Sequence, residues 1–157
     1  MSEIEVRIIK LEPMRVASAH AFGSGPETVA WGKLVAWAEP KGLMNDPENH
    51  RIFGFNNPDP SPSSPNYGYE FWMQVGPESE AEGEIELKKF AGGLYAVIRC
   101  EVKRDAYESI PATWGKLVAW RENSRYECAS HQWLEEHISV DEPGCDFVLD
   151  LYLPIAE

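Results

Sequence analysis

Two short runs hold the residues best suited to chemistry. Glu70-Phe71-Trp72-Met73-Gln74-Val75 and Asp150-Leu151-Tyr152-Leu153-Pro154-Ile155 both alternate polar and apolar positions, the period of a half-buried strand. Phe71, Met73 and Val75 then share one face, with Glu70, Trp72 and Gln74 opposite. Leu151, Leu153 and Ile155 share another, with Asp150, Tyr152 and Pro154 opposite. Each run therefore offers a carboxylate followed, two residues later on the same side, by an aromatic ring. Such a pair suits a flat, cationic molecule: a ring face attracts a cation by about 0.5 to 2 kcal/mol, and a partly buried carboxylate strongly prefers an opposite charge. Carboxylates so placed are also of the type that general acid–base work needs. The competing reading of the pattern is two solvent-facing acids and two rings that merely cover a sheet.

The elements that must position these residues come from an internal repeat. Trp31-Gly32-Lys33-Leu34-Val35-Ala36-Trp37 recurs verbatim as Trp114-Gly115-Lys116-Leu117-Val118-Ala119-Trp120, 83 residues later, and the Glu70 and Asp150 runs stand 80 residues apart. Strand-like sequence precedes each heptapeptide: Ile4 to Leu11 with Met14 to Phe22, then Glu84 to Phe90 with Leu94 to Val102. Each half reads as strand, strand, helix, then one or two strands. The expectation is a single domain over 1–157, with repeat one at 1–76, an acidic junction at 77–84 and repeat two at 85–157. Related by a pseudo-twofold, the halves would bring both acid-and-ring pairs to one groove.

Local signals fill in this frame. Trp31, Leu34, Val35 and Ala38 fall at helical spacing, as do Trp114, Leu117 and Val118. Ser24-x-x-Glu27 has the form of a capping box, with Pro26 in the first turn, and Ser109 and Pro111 mark the second helix start. Gly32 and Gly115, both inside helices, point to close backbone packing. Between Asn56 and Asn66 four prolines preclude a regular helix and predict an exposed loop, alternatively a lid. Phe53 and Phe55 share a strand face and serve either the core or a ligand. His131 to His137 reads as a short surface helix, or as the source of a further ring, Trp133. Trp37 and Trp120, which close the two heptapeptides, complete the candidate ligand-binding rings.

Composition narrows the partners. The 157 residues carry 14 Lys plus Arg against 26 Asp plus Glu, a net charge of −12. With no basic stripe to neutralise phosphates, direct nucleic-acid binding is not expected; cationic ligands or basic protein partners fit better, and a solvated acidic surface explains the same balance. Three cysteines without a C-x-x-C pair suit a reducing, cytoplasmic setting. No apolar run approaches the roughly 18 to 20 residues a bilayer requires, so no membrane role is expected. Cys128, His131, His137 and Cys145 are zinc-type ligands, but their spacing matches no structural site, and no metal or cofactor is assigned. Nucleophile elbows, phosphate loops and dinucleotide fingerprints are absent from the sequence.

The twofold unit, the closing Asp150-Leu-Tyr-Leu-Pro-Ile and the Tyr67-Gly-Tyr-Glu-Phe-Trp-Met segment together resemble the GyrI-like family, the effector-binding domain of some AraC-type and multidrug-sensing regulators. The resemblance implies an α+β fold of two fused SHS2-type modules with antiparallel sheets and a ligand cleft at their interface, aromatic-walled and acidic. By position, the acid four residues before the final proline is Asp150, where the family more often has Glu, so Glu70 is expected as the principal acid, with Trp72 and Tyr152 as walls. With both repeats accounting for the chain, no helix-turn-helix is expected within it. A stand-alone sensor or sequestering module is therefore the first expectation. The family also includes hydrolases of cyclopropane-bearing DNA-alkylating compounds, which would use Glu70 and Asp150 with Trp72, Trp133 and Tyr152 around the substrate. Gyrase-inhibitor-like binding of a protein through the acidic surface is the third.

Overall fold

A computed structural model describes residues 5–46, 49–57, 66–103, 109–138 and 145–157. The architecture is mixed α+β with antiparallel strand pairing, and the chain divides into two compact units. One comprises 13–91; the other comprises 1–12 together with 92–157.

In the first unit the strands are β2 (Met14–Gly23), β3 (Ile52–Asn56), β4 (Tyr67–Val75) and β5 (Glu86–Phe90), ordered β3-β4-β2-β5. Helix α1 (Pro26–Ala38) packs on β2 and β4. Odd-numbered side chains of both strands face it: Ala17, Ala19, Ala21, Tyr69, Phe71, Met73 and Val75 form one core with Ala30, Leu34, Trp37 and Ala38. The predicted alternation of the Glu70 run therefore holds. Small residues on β2 let the helix approach, and the rings of Tyr69 and Phe71, centroids 4.9 Å apart, fill the remainder. Gly54 of β3 is required here, because Tyr69 lies across the space a Cβ would take.

The second unit orders β1 (Arg7–Leu11), β6 (Gly93–Lys103), β9 (Cys145–Ala156) and β8 (Leu134–Ile138) as β1-β6-β9-β8, with the two-residue β7 (Glu127–Cys128) also paired to β9. Helix α2 (Ser109–Glu122) packs on β6 and β9. Leu151, Leu153 and Ile155 face it with Ala96, Ile98, Cys100 and Leu149, packed around Leu117 of the helix, again as the alternation predicts. Thus the strand that opens the chain pairs with β6, whereas β5, which follows the acidic segment, pairs with β2. The packed units divide the chain at other places than the sequence repeat does. Gly92 marks one junction: its φ of 80° favours glycine, and the Leu11 carbonyl sits where a Cβ would be.

Several local expectations change. In α1 the buried stripe is Ala30, Leu34, Trp37 and Ala38, and Trp31 is 37% exposed. The helix starts at Pro26 with Gly25 as an N-cap that makes no side-chain bond; Glu27 instead accepts the Tyr67 hydroxyl at 2.7 Å. His131 to His137 is no helix: its latter half is β8, hydrogen-bonded to β9, with Leu134 and Glu136 buried in period two. The four prolines between Asn56 and Asn66 lie outside the described residues, and with them the lid. A Cβ added at Gly32 or Gly115 would meet no atom within 4 Å, so the close packing expected of them is not present. Both occupy helix interiors at exposed positions. Gly32→Ala and Gly115→Ala should each raise stability by about 0.5 to 1 kcal/mol, as an upward shift of the urea midpoint; a loss at either position would mean that the glycine has a role its surroundings do not show. Among the described residues, no helix is long and apolar enough to cross a membrane.

Candidate functional site

The side of the first unit's sheet away from α1 carries Glu70. Its side chain is 2% exposed, yet it is thoroughly partnered. Oε2 accepts from Ser18 Oγ at 2.6 Å, from the Trp72 indole Nε1 at 2.6 Å and from Lys88 Nζ at 2.8 Å. Oε1 accepts from Asn57 Nδ2 at 3.0 Å. Register explains the convergence: Ser18 sits opposite Trp72 and Glu86 opposite Ser18, so even-numbered residues of β2, β4 and β5 share this face. Burial pushes the Glu70 carboxyl up, but bonds from Lys88, then Ser18, Asn57 and Trp72, outweigh it and hold it below the ordinary carboxylate value. Glu70 is therefore a fixed anion.

Rings adjoin it. Phe53 is paired with Trp72 and Phe55 with Glu70 across β3 and β4, which puts both phenylalanines on the same face. Trp72 lies edge-on to Phe55 at 4.8 Å between centroids and 5.3 Å from Phe90. An open cavity of about 370 Å³ is bounded by Glu70, Ser18, His20, Asn57 and Lys88, and further by Lys33, Glu84 and Glu86. β5 stops pairing at Ser18, so β2 is uncovered from His20 onward; there Lys33 donates to the His20 carbonyl at 3.0 Å and pairs with Glu84 at 3.5 Å. Of the candidates, the structure thus brings together Glu70, Trp72, Phe53 and Phe55. Trp37 is in the α1 core on the opposite side.

In the second unit Asp150 is also buried, at 3% exposure. Its Oδ1 accepts from Arg99 Nε at 2.6 Å and lies 3.1 Å from an Arg7 guanidinium nitrogen, so two cations already neutralise it. Tyr152 is 1% exposed; its hydroxyl donates to Glu136 at 2.6 Å, and its ring meets Tyr95 edge-on at 5.4 Å. Trp133 instead packs against Trp114 of α2, at 5.2 Å, and Trp120 stacks on Tyr126 at 6.0 Å. Asp150 and Tyr152 therefore share a sheet face, whereas Trp120 and Trp133 belong to the helix side. His137 on β8 is pushed down to about 4, chiefly by burial against the weaker opposing pull of Glu136, which leaves it neutral near pH 7. Among the described residues no cluster of His, Cys, Asp and Glu has the arrangement of a metal site.

Reading by sequence missed the partners that decide each acid's character: Ser18, Asn57 and Lys88 for Glu70, and Arg7 and Arg99 for Asp150. One signal was available for Ser18: with His20 it puts polar residues two apart in the otherwise apolar Val16-Ala17-Ser18-Ala19-His20-Ala21.

The chain belongs to the GyrI-like small molecule binding domain family, which it matches over residues 4–156. Comparison with curated proteins gives no match. Among solved structures, the EcmrR C-terminal domain is similar with a TM-score of 0.72 at 14% identity, covering 98% of each chain. In the EcmrR–DNA complex the similar region is 57% of the EcmrR chain, so the present chain spans little more than half of that protein. A hydrolase from Listeria innocua is similar with a TM-score of 0.68 at 10% identity, over 99% of this chain and 94% of that one. SAV2435, solved bound to tetraphenylphosphonium, gives 0.56 at 10% identity, over 98% and 94%. At these identities the likeness is one of fold.

Proposed function

We propose that this chain binds small aromatic cations, with Glu70 supplying the charge and Trp72, flanked by Phe55, the apolar contact. The observation that carries this reading is a carboxylate 2% exposed yet ionised, held in place by Ser18, Asn57 and Trp72 beside an open cavity. The carboxylate's counter-charge, the Lys88 ammonium at 2.8 Å, has a side chain 40% exposed, so a positive ligand can take its place, and little of the buried anion's field is lost to water. The tetraphenylphosphonium bound to SAV2435 supports the choice of a lipophilic cation for a domain of this fold. Asp150 is the poorer candidate, since two arginines, Arg7 and Arg99, pair with it where a single lysine pairs with Glu70.

Titrating 1-naphthylmethylammonium at pH 7 while following tryptophan fluorescence tests the reading. Saturable quenching is expected, with affinity at least tenfold weaker in Glu70→Gln. Equal affinity in the two proteins would refute the assignment to Glu70.

Hydrolysis of cyclopropane-bearing alkylators is the weaker reading. A general acid needs a proton near neutral pH, and Glu70 is held ionised below its usual value. Its Oε2 already accepts three hydrogen bonds, which leaves a poor base for activating water.

A further inference from the structure

Resting on the reading of Glu70 as the ligand's acid, we infer that Lys88 is an internal stand-in for the ligand's cation, and that the site accepts protonated primary amines in preference to cations that carry no N–H. Three of the four donors on Glu70, from Ser18, Asn57 and Trp72, are neutral and fix the carboxylate in position. The fourth is charged and of a different kind. The Lys88 side chain is 40% exposed where Glu70 is 2% exposed, and Lys88 arises from β5, the outer strand of its unit's sheet. A flexible ammonium on a four-carbon stem can leave for water at little cost to itself. What it leaves behind is costly: a buried carboxylate without a counter-charge.

That asymmetry sets the terms of exchange. An incoming ligand must bring a positive charge, and to match the 2.8 Å bond from Lys88 it must also donate an N–H to Oε2. A primary ammonium does both. A quaternary cation supplies the charge but no donor, so it either loses that bond or sits beside an ammonium that repels it. Anions are disfavoured by Glu84 and Glu86, which bound the same cavity. Lys33, the other lysine there, is engaged with the His20 carbonyl and Glu84.

The test compares 1-naphthylmethylammonium with its N,N,N-trimethyl derivative, which has the same ring and charge without an N–H, by calorimetric titration of the full chain at pH 7. In the unmodified protein the primary amine should bind at least tenfold more tightly. Lys88→Met should raise the affinity of the trimethyl compound at least tenfold, while Lys88→Arg leaves it weak. Circular dichroism reports whether Lys88→Met is folded, and Lys88→Gln, which keeps a neutral donor, serves the same purpose if it is not. Equal affinities for the two ligands in the unmodified protein, or no gain for the trimethyl compound on neutralising Lys88, would overturn the inference while leaving the role of Glu70 standing. Binding of the primary amine that ignores Glu70→Gln would overturn both.

Discussion

Trp37→Ala is expected to lower the free energy of unfolding by about 3 to 5 kcal/mol, measured by urea denaturation, whereas Trp31→Ala should cost no more than about 1 to 2 kcal/mol. The two tryptophans open and close one heptapeptide, but their surroundings differ. Trp37 is 6% exposed and packed among Leu34, Ala38 and the aromatic side of β4. Trp31 is 37% exposed and touches Phe71 only edge-on, at 5.3 Å. Removing Trp37 leaves a hole that a rigid sheet cannot close; removing Trp31 leaves water in contact with a ring edge. The Trp37 indole Nε1 is buried without a hydrogen-bond partner, so Trp37→Phe should recover much of the loss. Equal costs for Trp31→Ala and Trp37→Ala would refute the burial pattern of α1. Weakened binding of 1-naphthylmethylammonium in folded Trp31→Ala would show that the exposed ring, rather than Trp72, meets the ligand.

The second large effect concerns Glu70 itself. Glu70→Gln should cost on the order of 2 to 3 kcal/mol at pH 7, because an amide turns an N–H₂ toward donors that a carboxylate had satisfied, and the Lys88 ammonium loses its counter-charge. The pH dependence gives the sign. Bonds from Lys88, Ser18, Asn57 and Trp72 overcome burial and place the folded-state value below that of the unfolded chain. The stabilisation is therefore fully present above about pH 4.5 and is lost as pH falls through the folded-state value. The deficit of Glu70→Gln relative to the unmodified protein should accordingly be largest near neutrality and shrink in acid. A deficit that grows on acidification would mean that Glu70 is protonated in the native state, which would restore it as a general acid.

Much of the framework was legible because it depends on period and punctuation. The alternation of Glu70 to Val75 and of Asp150 to Ile155 places polar and apolar side chains on opposite faces whatever the strands pair with, and both cores follow it. The duplicated heptapeptide likewise marked two helices that pack on sheets. The stripe within α1 was less legible. Trp31 and Trp37 are equally apolar, and the rotation of the helix, which decides between them, is set by its contact with Ala17, Ala19 and Ala21. His131 to His137 misled for a related reason: seven residues, four of them titratable, carry too few apolar positions to separate a helix from a strand, and pairing with β9 settles the matter.

For the candidate site, the amino-acid order by itself determined that Glu70 precedes Trp72 by two and that both must lie on the face turned from the helix. Only folding decided what each acid would become. Lys88 reaches Glu70 because β5 pairs with β2, and Arg7 reaches Asp150 because β1 pairs with β6. Hydrogen bonding between strands far apart in the chain selects those neighbours, and a carboxylate's charge state and availability depend on its neighbours, about which local periodicity is silent.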